Sequence, residues 1–103
     1  MTPMIILSTY PNKKIVTKIA KKIVQKRLAA CVNISKISSI YTWKGKIENT
    51  SEYLAIFKTT KKKVKSLKNE IKITHPYEVP EIAELYVNSV NAPYLKWLVE
   101  STT

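Results

Sequence analysis

The sequence predicts an α+β domain of ferredoxin-like type, in which a four-stranded antiparallel sheet has the element order β-α-β-β-α-β and a helix follows at the C-terminus. Two stretches with helical periodicity, residues 13–28 and 61–74, each lie between stretches with the pattern of strands. The only glycine, Gly45, falls between two alternating stretches, where a hairpin turn needs a positive φ. With 103 residues, one domain spanning 1–103 is expected.

The first strand and the first helix are indicated by a change of periodicity at Asn12. Residues 4–9 form a short apolar run, which is typical of a strand buried on both faces. Asn12 is a good N-cap, and from Lys13 to about Leu28 the apolar residues fill one helical face while the lysines fill the other. We therefore expect this helix to pack on the sheet with its lysines outward.

The next two strands form a long hairpin. Between Cys31 and Trp43 the apolar residues alternate but change phase near Lys36, which predicts a β-bulge there. The return strand is predicted at residues 53–59, after a twisted or solvated start at the polar residues 48–51.

The second half of the chain contains a helix, a strand and a final helix. Thr60 is the expected N-cap of the helix at 61–74, which has a narrow apolar stripe of Val64, Leu67 and Ile71. Alternation predicts the fourth strand at residues 82–87, and Asn91 followed by Pro93 predicts the start of the last helix. Both crossover helices should cover one face of the sheet and leave the other face bare.

The composition excludes several kinds of site. One cysteine and one histidine cannot form a disulfide framework or a four-ligand Cys/His zinc site within one chain. Without aspartate a Ser-His-Asp relay is impossible, and one glycine cannot build a Gly-rich phosphate loop. We expect the chain not to be an enzyme and, because no apolar run approaches about 20 residues, to be cytoplasmic.

The net charge of +11 is unevenly distributed along the chain. Residues 1–72 carry 17 Lys and Arg against three Glu, whereas residues 73–103 carry one Lys against four Glu. This charge is compatible with nucleic-acid binding, with solubility and with neighbouring chains of opposite charge. Three lysines, Lys61, Lys62 and Lys63, stand at a helix start, where the dipole favours anions, so a bound anion is one alternative to a solvated face.

The segment at residues 75–82, HPYEVPEI, contains the side chains of this sequence that are candidates for metal binding. His75, Glu78 and Glu81 supply one imidazole and two carboxylates, a mixed set suited to copper or zinc. The alternative interpretation is that His75 caps the preceding helix and that the glutamates pair with lysines. Cys31 could join His75 through the fold, or it could be a small buried hydrophobe.

An RNA-binding module of the same element order is a third possibility. Tyr53 and Phe57 share one face of the third predicted strand, where such modules stack bases on aromatic rings. Residues 51–57, SEYLAIF, lack the Lys/Arg-Gly-Phe motif of that strand. Nucleic acid is therefore not expected as a partner of this protein.

Six strings together resemble the CutA family of divalent-cation tolerance proteins over nearly the whole chain. They are TYPN at 9–12, RLAACVN at 27–33, SIYTWKGKI at 39–47, KTT at 58–60, HPYEVPEI at 75–82 and YLKWL at 94–98. The resemblance implies a ferredoxin-like subunit in a tight homotrimer, with hairpin strands that pair between subunits. It also implies a link to tolerance of copper and other divalent ions, with no obligatory cofactor.

The resemblance also implies site residues. The family's metal ligands map to His75, with Cys31, Glu78 and Glu81 as partners for Cu(II), while Ser8 stands where some members have cysteine. The expected interface residues are Tyr41, Trp43, Tyr53, Phe57 and Trp97. The alternative function is a trimeric signalling or scaffold protein that binds a small anion or a protein partner between subunits, with the anion at Lys61, Lys62 and Lys63.

Overall fold

The computed structural model describes residues 1–103 and contains four strands and three helices. They are β1 Pro3–Tyr10, α1 Lys13–Gln25, β2 Cys31–Trp43, β3 Lys46–Thr60, α2 Lys61–Thr74, β4 Ala83–Tyr86 and α3 Ala92–Ser101. The strands lie in the order β2-β3-β1-β4 and every pair is antiparallel. The predicted ferredoxin-like order with a C-terminal helix is confirmed. None of the helices has the length and hydropathy needed to cross a bilayer.

Helix α1 begins as predicted but ends three residues early. The Oδ1 atom of Asn12 accepts a hydrogen bond of 2.9 Å from the amide of Ile15, which caps the first turn. At the other end Arg27 takes a φ of 61°, and the amide of Leu28 donates to the carbonyl of Ile23. A residue in the left-handed region cannot continue the helix, so α1 ends at Gln25.

The long hairpin has no bulge, which corrects the prediction near Lys36. Pairing runs without a break from Cys31 opposite Lys58 to Trp43 opposite Lys46. At the change of phase, the apolar residues instead move from the face of the sheet that the helices cover to the opposite face. Val32 and Ile34 pack against the core, whereas Ile37 and Tyr41 lie on the other face of the same regular strand.

A two-residue turn closes this hairpin at Lys44 and Gly45. Their φ values are 50° and 79°, as a tight hairpin turn of this length requires. Strand β3 then begins at Lys46 rather than at Tyr53, because the polar residues 48–51 continue the pairing with β2.

One hydrophobic core lies between the sheet and the two crossover helices. Alternate residues of β1 and β3 point into it, and α1 and α2 cover it from one side. The α2 stripe is buried as predicted. The buried residues of this core are Met4, Ile6, Tyr10, Val16, Ile23, Ala29, Ala55, Phe57, Val64, Leu67 and Ile71.

Tyr53 and Phe57 face this core, and this contradicts two predictions. Phe57 is fully buried and Tyr53 packs against the same cluster, since both lie on the side that the helices cover. The ring of Phe57 is therefore not available for an intersubunit contact or for stacking on RNA bases, and Tyr53 is partly buried against the same core. The other three predicted interface residues, Tyr41, Trp43 and Trp97, are 40 to 44% exposed.

The opposite face of the sheet is not bare as predicted. Ile5, Leu7 and Ile56, which point away from the core, are half-buried. Helix α3 lies against β3, and its Leu98 is buried outside the main core. The C-terminal helix therefore supplies a second, smaller area of packing.

The hairpin extends well beyond the rest of the sheet. Strand β1 pairs only with residues 53–60 of β3, so residues 37–43 and 46–52 form a two-stranded ribbon with no third strand. We call this segment the ribbon. Its apolar side chains are exposed on both faces: Ile40 (72%), Tyr41 (42%), Trp43 (40%) and Ile47 (79%). The chain is accordingly elongated, 45 × 26 × 21 Å.

Candidate functional site

The segment at residues 75–82, which we call the connector, begins at the end of α2. Pro76 disfavours helical geometry at His75, and His75 is extended with φ −72° and ψ 134°. The amide of His75 still donates a hydrogen bond of 2.9 Å to the carbonyl of Ile71. His75 is therefore the C-cap of α2, as one of the two interpretations of the sequence proposed.

The imidazole of His75 uses both of its nitrogens within the chain. Nε2 lies 2.8 Å from the carbonyl oxygen of Thr9, and Nδ1 accepts a hydrogen bond of 3.1 Å from the amide of Tyr77. A carbonyl can only accept and an amide can only donate, so the ring is the neutral tautomer with its proton on Nε2. Neither nitrogen retains a free lone pair for a metal ion.

Aromatic contacts hold the same ring in place. It stacks on Tyr10 with 4.2 Å between ring centroids and an interplanar angle of 19°, and Tyr77 lies tilted at 4.9 Å. Burial lowers the pKa of His75, while the carbonyl of Thr9 and the charge of Glu52 act in the opposite direction. The imidazole is thus held neutral between two phenol rings.

Tyr77 carries the connector to the opposite face of the sheet. Its hydroxyl donates a hydrogen bond of 2.6 Å to Oε2 of Glu52, which is only 7% exposed. Burial, together with the hydrogen bond and the charge of Glu52, raises the pKa of Tyr77 far above its ordinary value. Because Glu52 pairs with Ile37 where the ribbon begins, this bond ties the connector to the base of the ribbon.

The hydroxyl groups of Ser8 and Tyr10 lie unpaired in the core beneath His75. Burial raises the pKa of Tyr10 to about 12, and the neighbouring hydroxyl of Ser8 acts against that shift. Neither hydroxyl reaches a partner with hydrogen-bonding geometry. The phenol of Tyr10 therefore serves as a stacking surface for His75 rather than as an acid.

The predicted metal ligands do not come together within one chain. Cys31 pairs with Lys58 of β3, whereas His75 touches β1 at Thr9, whose partner is Leu54. Four residues of strand separate those rows, or about 13 Å. Glu78 and Glu81 are exposed, and no three His, Cys, Asp or Glu side chains converge anywhere in the chain. Within one chain, therefore, the predicted ligands are not gathered around His75, and both nitrogens of its ring are occupied.

The predicted anion site is not formed by its three lysines. The Nζ atom of Lys61 is hydrogen-bonded to the hydroxyl of Tyr86 and lies over its ring, and the Lys61 amide donates to the carbonyl of Thr2. Lys61 lines an open groove between α2 and the connector, but Lys62 and Lys63 do not. The polar residues of this groove are Lys61, Lys65, Ser66, Lys68, Asn69, Lys72, Glu78 and Glu84.

The sequence interpretation missed Glu52 and Tyr77 as a pair. Glu52 shares its alternation with Leu54 and Ile56, and a carboxylate in an otherwise apolar row indicates a buried donor nearby. Nothing in the spacing indicates that Tyr77 is the donor, because it lies 25 residues away and beyond a helix.

We predict that the stability of the protein depends on pH through His75. Its pKa is lowered in the folded chain, so on acidification below the unfolded value of 6.5 the unfolded chain takes up the proton first. The free energy of unfolding then falls until the pH passes the folded pKa. The slope is at most about 1.4 kcal/mol per pH unit, and it is reduced because the ring is half-exposed to solvent.

Urea unfolding of the wild type and of His75→Phe between pH 8 and 5.5, at one protein concentration, measures this slope. No other histidine is present, so the wild type should lose more stability over this range than the variant. Equal slopes would contradict the assignment.

Comparison with known proteins places this architecture in a family. A model of the family described as "CutA1 divalent ion tolerance protein" matches residues 4–101. The divalent-cation tolerance protein CutA of Thermotoga maritima is 45% identical over 98 residues, which are 95% of this chain and 97% of that protein. Protein CutA of Homo sapiens is 50% identical over 95 residues, 91% of this chain, but the chain spans only about half (53%) of that protein's length.

Solved structures agree with these sequence matches. CutA1 of Pyrococcus horikoshii superimposes with a TM-score of 0.94 at 40% identity, covering 97% of this chain and 98% of that one. CutA of Synechococcus elongatus gives a TM-score of 0.97 at 31% identity, covering 99% and 91%. Other matches are described as chloroplastic, in Arabidopsis thaliana, and as periplasmic, in Archaeoglobus fulgidus. With a family match over nearly its whole length, the chain belongs to the CutA1 family of divalent ion tolerance proteins.

Proposed function

We propose that this protein works as a cytoplasmic homotrimer that binds divalent cations, Cu(II) among them, in clefts between subunits. The observation that carries the proposal is the ribbon, which one chain leaves without support. An isolated two-stranded hairpin is marginally stable in water, and this one exposes Ile40 and Ile47 on one face and Tyr41 and Trp43 on the other. A neighbouring chain that covers the ribbon removes those side chains from water.

The free edges of the sheet support the same assembly. Strands β2 and β4 are the two edges, so each presents a row of unpaired backbone groups. Leu85 and Tyr86 of β4 are 44% and 64% exposed, respectively. Pairing between the ribbon of one subunit and an edge strand of the next would satisfy the backbone and bury apolar surface in one step.

A cation site in this proposal needs donors from more than one subunit, because one chain offers no converging set. Glu78 and Glu81 are exposed carboxylates on a connector that is fixed to the ribbon base. If the ribbon is covered by a second chain, these carboxylates lie beside the interface. We assign the oxygen ligands to Glu78 and Glu81, and we assign to His75 the role of positioning the connector.

A second candidate function is a trimeric scaffold that binds a small anion or a protein partner. The groove between α2 and the connector favours it, because four lysines of α2 line one side. Two of them are already engaged: Lys68 forms an ion pair of 3.0 Å with Glu84, and Lys61 contacts Tyr86. Lys65 and Lys72 remain for an anion.

We predict a mass of about 35 kDa in solution, three times the 11.8 kDa of one chain, measured by light scattering after gel filtration. The variant Ile40→Lys/Ile47→Lys should run as a monomer, because it places charge on the ribbon face that a neighbour must cover. The matched control is Ile73→Lys, which changes an equally exposed isoleucine (71%) on α2 and should leave the trimer intact. A monomeric wild type would contradict the proposal.

We also predict that Glu78→Gln/Glu81→Gln lowers the affinity for Cu(II) at least about tenfold in calorimetry, because neutral amides are poor replacements for carboxylate ligands. Glu100→Gln, an exposed glutamate on α3, is the control and should bind as the wild type does.

His75→Phe should retain Cu(II) binding as long as it remains trimeric. A wild type that binds no Cu(II), but gains thermal stability with inorganic phosphate, would favour the scaffold function instead.

A further inference from the structure

The charge of this protein is concentrated on one layer of the fold. Helices α1 and α2 together carry eleven lysines and one glutamate, a formal charge of +10, whereas the remaining residues carry seven basic and six acidic side chains. The division between a basic N-terminal part and an acidic C-terminal part, seen along the sequence, is therefore a division between the helical layer and the sheet.

The helical layer presents most of its lysines to solvent, although Lys68 forms an ion pair with Glu84 of β4 and Glu78 lies in the groove beside α2. α1 and α2 contact each other on the same side of the sheet, and their buried residues belong to one core. Nine of the eleven lysines are exposed. The single acid, Glu70, is half-buried and forms an ion pair of 3.0 Å with Lys26. The lysines of the layer are Lys13, Lys14, Lys18, Lys21, Lys22, Lys61, Lys62, Lys63, Lys65, Lys68 and Lys72.

The chemistry of this layer indicates its kind of partner. It contains no aromatic residue that could stack on unpaired bases and no arginine that could read a base edge. Only Val24 and Ile73 are large exposed apolar residues on it, at 40% and 71%, so it offers little to insert into a lipid surface. The layer therefore offers lysine ammonium groups on flexible side chains, which suit regularly spaced phosphates.

We propose that the helical layer binds the phosphate backbone of double-stranded nucleic acid without sequence preference. At 1.5 Å per residue the two helices are about 20 Å long. A duplex carries one negative charge per about 1.7 Å, or about 12 charges over that length, which is comparable with the +10 of the layer. The surface differs from the sheet face that the RNA-binding alternative requires, and its α2 side borders the groove that also contains Glu78, a proposed cation ligand.

Fluorescence anisotropy with a fluorescein-labelled 20-base-pair DNA of arbitrary sequence tests this proposal on the full chain. The wild type should bind with a Kd between about 1 and 100 μM near 0.15 M salt, and the affinity should fall steeply as salt rises. Lys14→Gln/Lys18→Gln/Lys21→Gln should weaken binding at least about tenfold and reduce the salt slope by about two to three.

Two further variants distinguish binding by the helical layer from an effect of the total charge or of misfolding. Lys36→Gln/Lys46→Gln/Lys96→Gln removes the same charge from exposed sites outside the layer and should bind within about twofold of the wild type. Lys62→Gln/Lys65→Gln/Lys72→Gln, on α2, should weaken binding as the α1 variant does. Equal weakening by the control, absence of binding at about 50 mM salt, or binding to phosphatidylglycerol vesicles but not to the duplex would overturn the proposal.

Discussion

The hydrogen bond between the hydroxyl of Tyr77 and the carboxylate of Glu52 is the contact on which the arrangement of this protein depends. A carboxylate that is 7% exposed needs a donor, and Tyr77 is the only side chain that supplies one. To reach it, the connector must pass around the end of β1, with His75 on the core side and Tyr77 on the other. The two hydrogen bonds of the imidazole and its stacking on Tyr10 fix that path.

This anchoring has a consequence for the hairpin. Strand β1 pairs only with residues 53–60 of β3. The connector contacts the hairpin at Glu52, where that pairing ends. Beyond Glu52 the ribbon has regular pairing but exposed apolar side chains, and an isolated hairpin of this kind is only marginally stable in water. An unbroken register and a two-residue turn at Gly45 therefore build a hairpin whose apolar side chains one chain leaves exposed. The proposed trimer and the proposed cation site both follow from it.

The sequence predicted the fold well because its signals are local. Asn12 caps α1 as expected, α2 has the predicted bounds and Gly45 closes the predicted turn. The errors arose where a local pattern has a non-local cause. The phase change near Lys36 resembled a bulge, but it reflects the point at which the helices stop covering the sheet. Tyr53 and Phe57 were assigned to an open face, since alternation alone does not say which face the helices take.

The site was predicted less well than the fold, for a physical reason. The motif at residues 75–82 directed attention to the connector, but residue type did not reveal that His75 would use both nitrogens on the Thr9 carbonyl and the Tyr77 amide. Nor could spacing show that Cys31 lies four strand positions away along the sheet. The net charge could likewise be read from the composition. Its concentration on the helical layer could be seen only from the packing of α1 against α2.

The central claim, that His75 is a neutral positioning residue rather than a free ligand, is tested most directly by nitrogen-15 NMR of its ring. With one histidine in the chain the assignment is unambiguous. At about pH 7.5, above the ordinary histidine pKa, Nε2 should carry the proton and Nδ1 should not, and addition of Zn(II) should leave both resonances in place. A proton on Nδ1, or a shift of either nitrogen on binding Zn(II), would contradict this account.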